Sequence, residues 1–224
     1  MNIIYLIIFC ILGYSTLILG SIKWKKSILY TIAIGSIVNA NIFHAIDYPI
    51  NIFGLNFGMN SVIYVLYLFC ILIMYKDFEK KETNTLIVCS LGGIIFAATV
   101  QFLTNVASNG YAVEYLQDIL AYFASCISSL VASLLLIKIF EIFNKKLNIY
   151  INTALTLLIA SFIDSIIYYG ITLSLKISFL SSDFWISLAT LYLGKIISII
   201  FAVVSLCFLN RYCNTNNEIK EDKK

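Results

Sequence analysis

The sequence predicts an all-α, polytopic integral membrane protein with about seven transmembrane helices. Of its 224 residues, 61% are hydrophobic, 12% are charged and one is a proline. A soluble domain carries about 25% charged residues. Apolar stretches of about 20 residues, which is the length that crosses a bilayer, recur along almost the whole chain. We therefore expect lipid to be the main solvent of this protein.

Seven spans are predicted: residues 2–20, 27–47, 59–75, 85–105, 119–142, 150–175 and 184–210. Each is assigned as a helix, because a helix satisfies its own backbone hydrogen bonds in lipid and the spans are too long for barrel strands. The first span has no preceding basic residue and no evident cleavage site, so it is interpreted as a retained helix rather than a secretory signal.

The basic residues of the connections predict the orientation. They follow the odd-numbered spans: Lys23, Lys25, Lys26, Lys76, Lys80, Lys81, Lys145, Lys146, Arg211, Lys220, Lys223 and Lys224. Residues 48–58 and 106–118 contain no basic residue, and the connection between spans six and seven has only Lys176. By the positive-inside rule, the N-terminus lies outside and the C-terminus is cytoplasmic.

The segment from Asp47 to Gly58, DYPINIFGLNFG, combines the proline with two glycines and three asparagine or aspartate residues. This composition interrupts a helix. Two interpretations stay open: a plain outer loop, and a short re-entrant element next to a ligand path.

Two ionisable residues stand out inside the predicted spans, Asp164 in span six and Lys195 in span seven. Lys138 lies near the end of span five, where its long side chain can reach the interface. Asp164 and Lys195 each cost about 2.5–3.5 kcal/mol at a helix centre on insertion scales, so a charge retained there has a purpose. The two spans run in opposite directions, and the two residues fall at similar depth. We predict that they pair, either to lock the two helices together or to help line a substrate site.

Polar and aromatic side chains surround this predicted pair. Those suited to bind a polar or aromatic solute are Ser161, Ser165, Tyr168, Tyr169 and Tyr192. Span two carries Asn39, Asn41 and His44, which are expensive in lipid and are expected to face the protein interior.

Other function classes find no support in the sequence. HExxH, GxSxG, paired intramembrane glutamates and a phosphate-binding glycine loop are all missing, so the chain is not predicted to be an enzyme. A lone histidine without a carboxylate at ligand spacing predicts no metal site, and no cofactor is expected. The net charge of +3 is too small to indicate nucleic acid.

Four segments resemble one family, the queuosine precursor transporters, which are small bacterial vitamin-uptake-like membrane proteins. The segments are PINIFGLNFG, VASLLLIKIFEIFNKK, SFIDSIIYYGITL and FWISLATLYLGKIISII. Their order and spacing also agree with the family, over about 180 residues from span two to span seven. The chain departs from the family at Ile71, Leu72, Leu134 and Ile137, where the family has polar residues.

The resemblance implies a substrate site and a domain organisation. It assigns substrate binding to Asp164, Tyr192 and Lys195, and also to Asn41. On physical grounds, Tyr168, Tyr169 or Tyr192 can stack on the ring of the ligand. Residues 1–22 are then an additional N-terminal helix, 23–212 a six-helix transporter-like domain, and 213–224 a disordered polar cytoplasmic tail. The implied location is a bacterial inner membrane.

The implied function is import of a 7-deazaguanine such as preQ0 or preQ1, or a related nucleobase-like solute. One carboxylate can accept two parallel hydrogen bonds from a guanine-like edge, and Asp164 is the natural candidate. Two alternatives stay open: a substrate-binding subunit of an ATP-driven vitamin importer, and a degenerate family member with a structural or regulatory role. The expected partners are the small-molecule solute and the bilayer, with a homo-oligomer or an energising module left open.

Overall fold

The computed structural model describes residues 3–24, 26–46, 49–52, 55–109, 116–172 and 181–221. Seven helices and one two-stranded hairpin occur within these residues. In chain order they are α1 (Ile3–Trp24), α2 (Lys26–Ile46), β1 (Pro49–Ile52), β2 (Leu55–Gly58), α3 (Met59–Asp77), α4 (Lys80–Asn109), α5 (Leu116–Asn144), α6 (Ile149–Thr172) and α7 (Ser182–Glu221).

Each predicted span falls on one of these helices, which confirms the helical, membrane-like character of the chain. Five of the described helices, α3 to α7, contain a segment long and apolar enough to cross a membrane, and α1 contains a shorter apolar segment, Ile7–Ile22. The number of spans and their orientation remain predictions.

Helix α3 forms the centre of the bundle. Every residue from Met59 to Met74 is buried except Asn60, and α3 contacts each of the other six helices. Its sequence is apolar on all sides, as expected for a helix that is surrounded by protein. Tyr67 and Phe69 are among its largest fully buried side chains.

The peripheral helices expose apolar side chains. On α4, Val88, Ile95, Phe96 and Leu103 are all exposed. Their spacing places them along one stripe of the helix. An apolar stripe on the outside of a bundle is the surface expected to contact lipid.

Polar contacts gather the lysine-containing helix ends at one end of the bundle. Lys26 Nζ, at the start of α2, lies 2.8 Å from Glu82 Oε1, near the start of α4. Lys76 Nζ, near the end of α3, donates to Asn210 Oδ1 of α7 at 3.3 Å. The opposite end of the bundle carries the hairpin, which connects α2 to α3.

The segment predicted as a loop or re-entrant element contains this hairpin. The strands are antiparallel, and Ile50 pairs with Phe57 while Ile52 pairs with Leu55. β-Branched and aromatic residues favour strands, whereas the sequence interpretation weighted only the helix-breaking residues. The strands contact α1 and α7. In the part of the chain that the structure describes, this hairpin is the one β element among seven helices.

Helix α7 continues to Glu221, whereas the sequence predicted a disordered tail over 213–224. No glycine or proline follows Arg211 before that point, so the two residues with the lowest helix propensity are absent from the segment.

Helix α1, predicted as an addition to a six-helix domain, is fastened to the core by a buried tyrosine. Tyr14 Oη donates to the backbone oxygen of Ser198 on α7 at 3.0 Å and lies 2.9 Å from Ser198 Oγ. Ser198 Oγ in turn donates to the backbone oxygen of Val62 on α3 at 2.9 Å. One hydroxyl chain therefore joins α1, α7 and α3.

We predict that Tyr14→Phe lowers the free energy of unfolding by about 1 kcal/mol, because interhelical hydrogen bonds in membranes contribute about 0.6 and at most about 1.7 kcal/mol. The phenyl ring keeps its packing against Phe69 and Phe201. Thermal unfolding in detergent measures the effect. Thr16→Val is the control, since Thr16 is exposed and bonds only within its own helix. Equal stabilities of the two variants would contradict the prediction.

Candidate functional site

The predicted pairing of Asp164 with Lys195 is confirmed. Lys195 Nζ lies 2.6 Å from Asp164 Oδ2, which joins α6 to α7. The two residues are only 5% and 2% exposed. Since a single buried charge is costly, each side chain is the reason that the other can remain ionised at this depth.

The remaining protons of the Lys195 ammonium are also used. Nζ donates to Ser165 Oγ at 2.8 Å and to the backbone oxygen of Ser161 at 3.2 Å. It also lies 4.7 Å from the centre of the Tyr64 ring, within the range of a cation–π interaction. An ammonium has three N–H donors, so none is left for a solute in this arrangement.

Asp164, by contrast, keeps one free oxygen. Oδ1 is buried and has no hydrogen-bond partner among the described residues. Ser61 Oγ and Tyr64 Oη share this property, although the Tyr64 phenol also interacts with the Asp164 carboxylate. Buried polar atoms are normally hydrogen-bonded, so three orphaned oxygens in one region call for an explanation.

These atoms belong to residues that line one partly open cavity. Its lining comes from five helices and consists of Ala40, Asn41, Asn60, Ser61, Tyr64, Ser125, Ser128, Asp164, Tyr168, Leu191 and Lys195. The free space within it and at its open mouth, solvent included, is about 430 Å³. The residues that carry the orphaned oxygens therefore border this cavity, while the oxygens themselves are buried.

Four of the five predicted site residues meet at this cavity: Asp164, Lys195, Tyr168 and Asn41. The fifth does not. Tyr192 Oη donates to the backbone oxygen of Leu158 on α6 at 2.9 Å, and its ring packs edge-on against Phe162. Because its hydroxyl is satisfied by a neighbouring helix, Tyr192 holds α6 and α7 together outside the cavity lining.

The expectation that the polar residues of span two face the interior is right for one residue and wrong for another. Asn41 is buried in the cavity wall, whereas Asn39 is exposed and donates to the backbone oxygen of Gly35 at 2.8 Å. Residues two apart on a helix lie about 200° apart around its axis, so they cannot share a face. The side chain of His44 lies outside the described residues.

Sequence reasoning missed the contributions of α3 and α5. Asn60, Ser61 and Tyr64 belong to α3, and Ser125 and Ser128 belong to α5. None is ionisable at neutral pH, so none carries the insertion cost that singled out Asp164. The signal that could have found them is their spacing: Ser61 and Tyr64, like Ser125 and Ser128, are three apart and so share a helix face.

The oxygen-rich lining does not form a metal-ligand cluster. In the part of the chain that the structure describes, no three histidine, cysteine or carboxylate side chains come together. The cavity instead offers one carboxylate oxygen, several hydroxyls and two amides, which suit a solute that donates hydrogen bonds.

We predict that Lys195→Met costs about 3–5 kcal/mol of stability, because it leaves a buried carboxylate unpaired. The double variant Asp164→Leu with Lys195→Met removes both charges and is expected to recover most of that loss. Exchanging the two residues should likewise recover more folded protein than either single change. Thermal unfolding and membrane-inserted yield measure all of these variants.

Lys138→Met is the matched control, since Lys138 is exposed on α5. Equal losses in the single and double variants would show that the two charges are not coupled.

No protein-family model, characterised protein or solved structure matches the chain. The resemblance to the queuosine precursor transporters rests on the four segments quoted above, and what it implies about function is a proposal.

Proposed function

We propose that this protein is a membrane transporter for a small nucleobase-like solute, such as a 7-deazaguanine precursor of queuosine, which binds at Asp164. The observation that carries the proposal is the buried, unpartnered Oδ1 of Asp164, a residue that lines this partly open cavity. A carboxylate acceptor without a donor at this depth is costly unless a ligand or water satisfies it.

The edge of a 7-deazaguanine matches this acceptor. It presents a ring N–H beside an amino group, which are two parallel donors. Asp164 Oδ1 can accept one of them. Oδ2 already accepts from Lys195 but keeps a further lone pair, because an ionised carboxylate has about four acceptor positions. Two charge-assisted hydrogen bonds can thus form while the ion pair stays intact.

Other lining residues suit the rest of such a solute. Tyr64 and Tyr168 place aromatic rings in the cavity wall, and stacking of a base on an aromatic ring contributes about 1–3 kcal/mol in other proteins. Asn41 and Asn60 supply amides that can both donate and accept. A planar, polar heterocycle uses both kinds of group.

The four positions that depart from the family pattern lie on α3 and α5. Ile71 and Leu72 lie in the buried core of α3. Leu134 is exposed, and Ile137 is buried on α5. None of the four belongs to the cavity lining, so the polar wall around Asp164 is complete without them.

A second candidate function is purely structural. All three ammonium protons of Lys195 are bonded to α6, which is the arrangement expected if the pair serves to lock two helices. Under this reading, Asp164→Asn lowers the amount of folded protein and changes no solute uptake.

Restoration of queuosine tests the proposal. The chain is expressed in cells unable to make or import the precursor, preQ0 is added, and queuosine in tRNA is measured. We expect restoration. Correct membrane insertion without any restoration would contradict this substrate class.

The variant Tyr64→Phe tests the cavity itself. It removes an unpartnered buried hydroxyl, so stability should change little, while uptake per inserted protein should fall roughly fivefold, the effect of about one hydrogen bond. Tyr30→Phe is the matched control, because its hydroxyl bonds to Glu82 at the lysine-containing end of the bundle. Tyr192→Phe should behave like that control. Unchanged uptake in Tyr64→Phe would argue against this cavity as the site.

A further inference from the structure

The charge of the cavity lining is set by one acid and one base. Among its residues, only Asp164 and Lys195 carry a charge at neutral pH. The wall contributed by α2, α3 and α5 is made of amides, hydroxyls and an apolar residue: Ala40, Asn41, Asn60, Ser61, Tyr64, Ser125 and Ser128. The tyrosine phenols, including that of Tyr168 on α6, are uncharged at neutral pH.

The net charge of the pair is zero whichever partner holds the shared proton. A carboxylate facing an ammonium sums to zero, and so does a carboxylic acid facing an amine. The 2.6 Å contact between Lys195 Nζ and Asp164 Oδ2 makes the two groups one unit. The lining therefore presents polar groups without net charge.

We infer that this cavity selects uncharged solutes and that Lys195 is the residue that determines this selectivity. The inference rests on the cavity being the solute site, as proposed above. A cation would gain from Asp164 only while remaining close to the Lys195 ammonium. An anion would meet the unpartnered oxygen of Asp164, and no N–H of Lys195 is left to bind it. A solute of either sign brings an uncompensated charge into the bundle.

Two 7-deazaguanines that share the ring and its hydrogen-bonding edge form the test. One carries a neutral nitrile at position 7, and the other carries an aminomethyl group, an aliphatic amine that is protonated at neutral pH. Equilibrium binding to the purified full chain in detergent at pH 7 should favour the nitrile by at least about tenfold. Equal binding, or tighter binding of the amine, would overturn the inference while leaving the proposed site intact.

A variant that keeps the ion pair provides the second measurement. Asn60→Asp adds a negative charge to the lining without a change of size, and its carboxylate can still accept from the backbone N–H of Ser61. It lies in the first turn of α3, where a helix tolerates an acid. We expect the preference to move toward the amine by about tenfold. Asn148→Asp is the control. Asn148 immediately precedes α6, its side chain accepts from the backbone N–H of Tyr150, and it lies outside the cavity lining.

A chemical probe tests the inference without any nucleobase. Ser125→Cys places a thiol at a half-buried position of the cavity wall, and its reaction rates with a neutral and a trimethylammonium methanethiosulfonate are each divided by the rate with free glutathione. Labelling of the unsubstituted chain is subtracted, because the chain has its own cysteines. The normalised rate should be higher for the neutral reagent, and adding Asn60→Asp should reduce this difference.

The outcomes separate the two claims. If neither deazaguanine binds but the neutral thiol reagent is favoured, the charge selectivity stands and the nucleobase assignment fails. If the cationic reagent reacts as fast as the neutral one with the Ser125→Cys variant alone, the charge selectivity fails whatever the solute is.

Discussion

The buried ion pair between Asp164 and Lys195 is the constraint on which the rest of this structure depends. Neither charge can remain alone at this depth, so α6 and α7 must lie side by side with these residues level. Ser161 and Ser165, which lie on α6 with Asp164, accept the other two hydrogen bonds of the Lys195 ammonium. The pair thus determines which helices are neighbours and which of their faces meet.

The surrounding helices hold the turn of α7 that carries Lys195. Ser198 lies one turn further along and bonds to Val62 of α3, while Tyr14 of α1 bonds to Ser198. Val62 is two residues from Tyr64, whose ring faces the ammonium. Helix α1 therefore contributes to the spacing of α3 and α7, although it supplies no residue to the cavity lining.

The ion pair also explains why the cavity suits a hydrogen-bond donor. All three N–H donors of Lys195 bond to α6, whereas only one of the two oxygens of Asp164 accepts a hydrogen bond. One carboxylate oxygen of a pair without net charge is left as an acceptor in the wall, next to the orphaned hydroxyls of Ser61 and Tyr64. The same contacts that stabilise the helix pair therefore shape the chemistry available to a solute.

The sequence by itself determined the helical membrane character and the central pair, because long apolar runs and two intramembrane charges have few alternatives in lipid. The tertiary structure alone decided the cavity wall. Asn60, Ser61, Tyr64 and the serines of α5 are neutral, so each costs less in an apolar run than a charged residue does. Their roles depend on which way each helix is rotated. The same rotation separates Asn41 from Asn39 and removes Tyr192 from the lining, since its hydroxyl finds a backbone partner on α6.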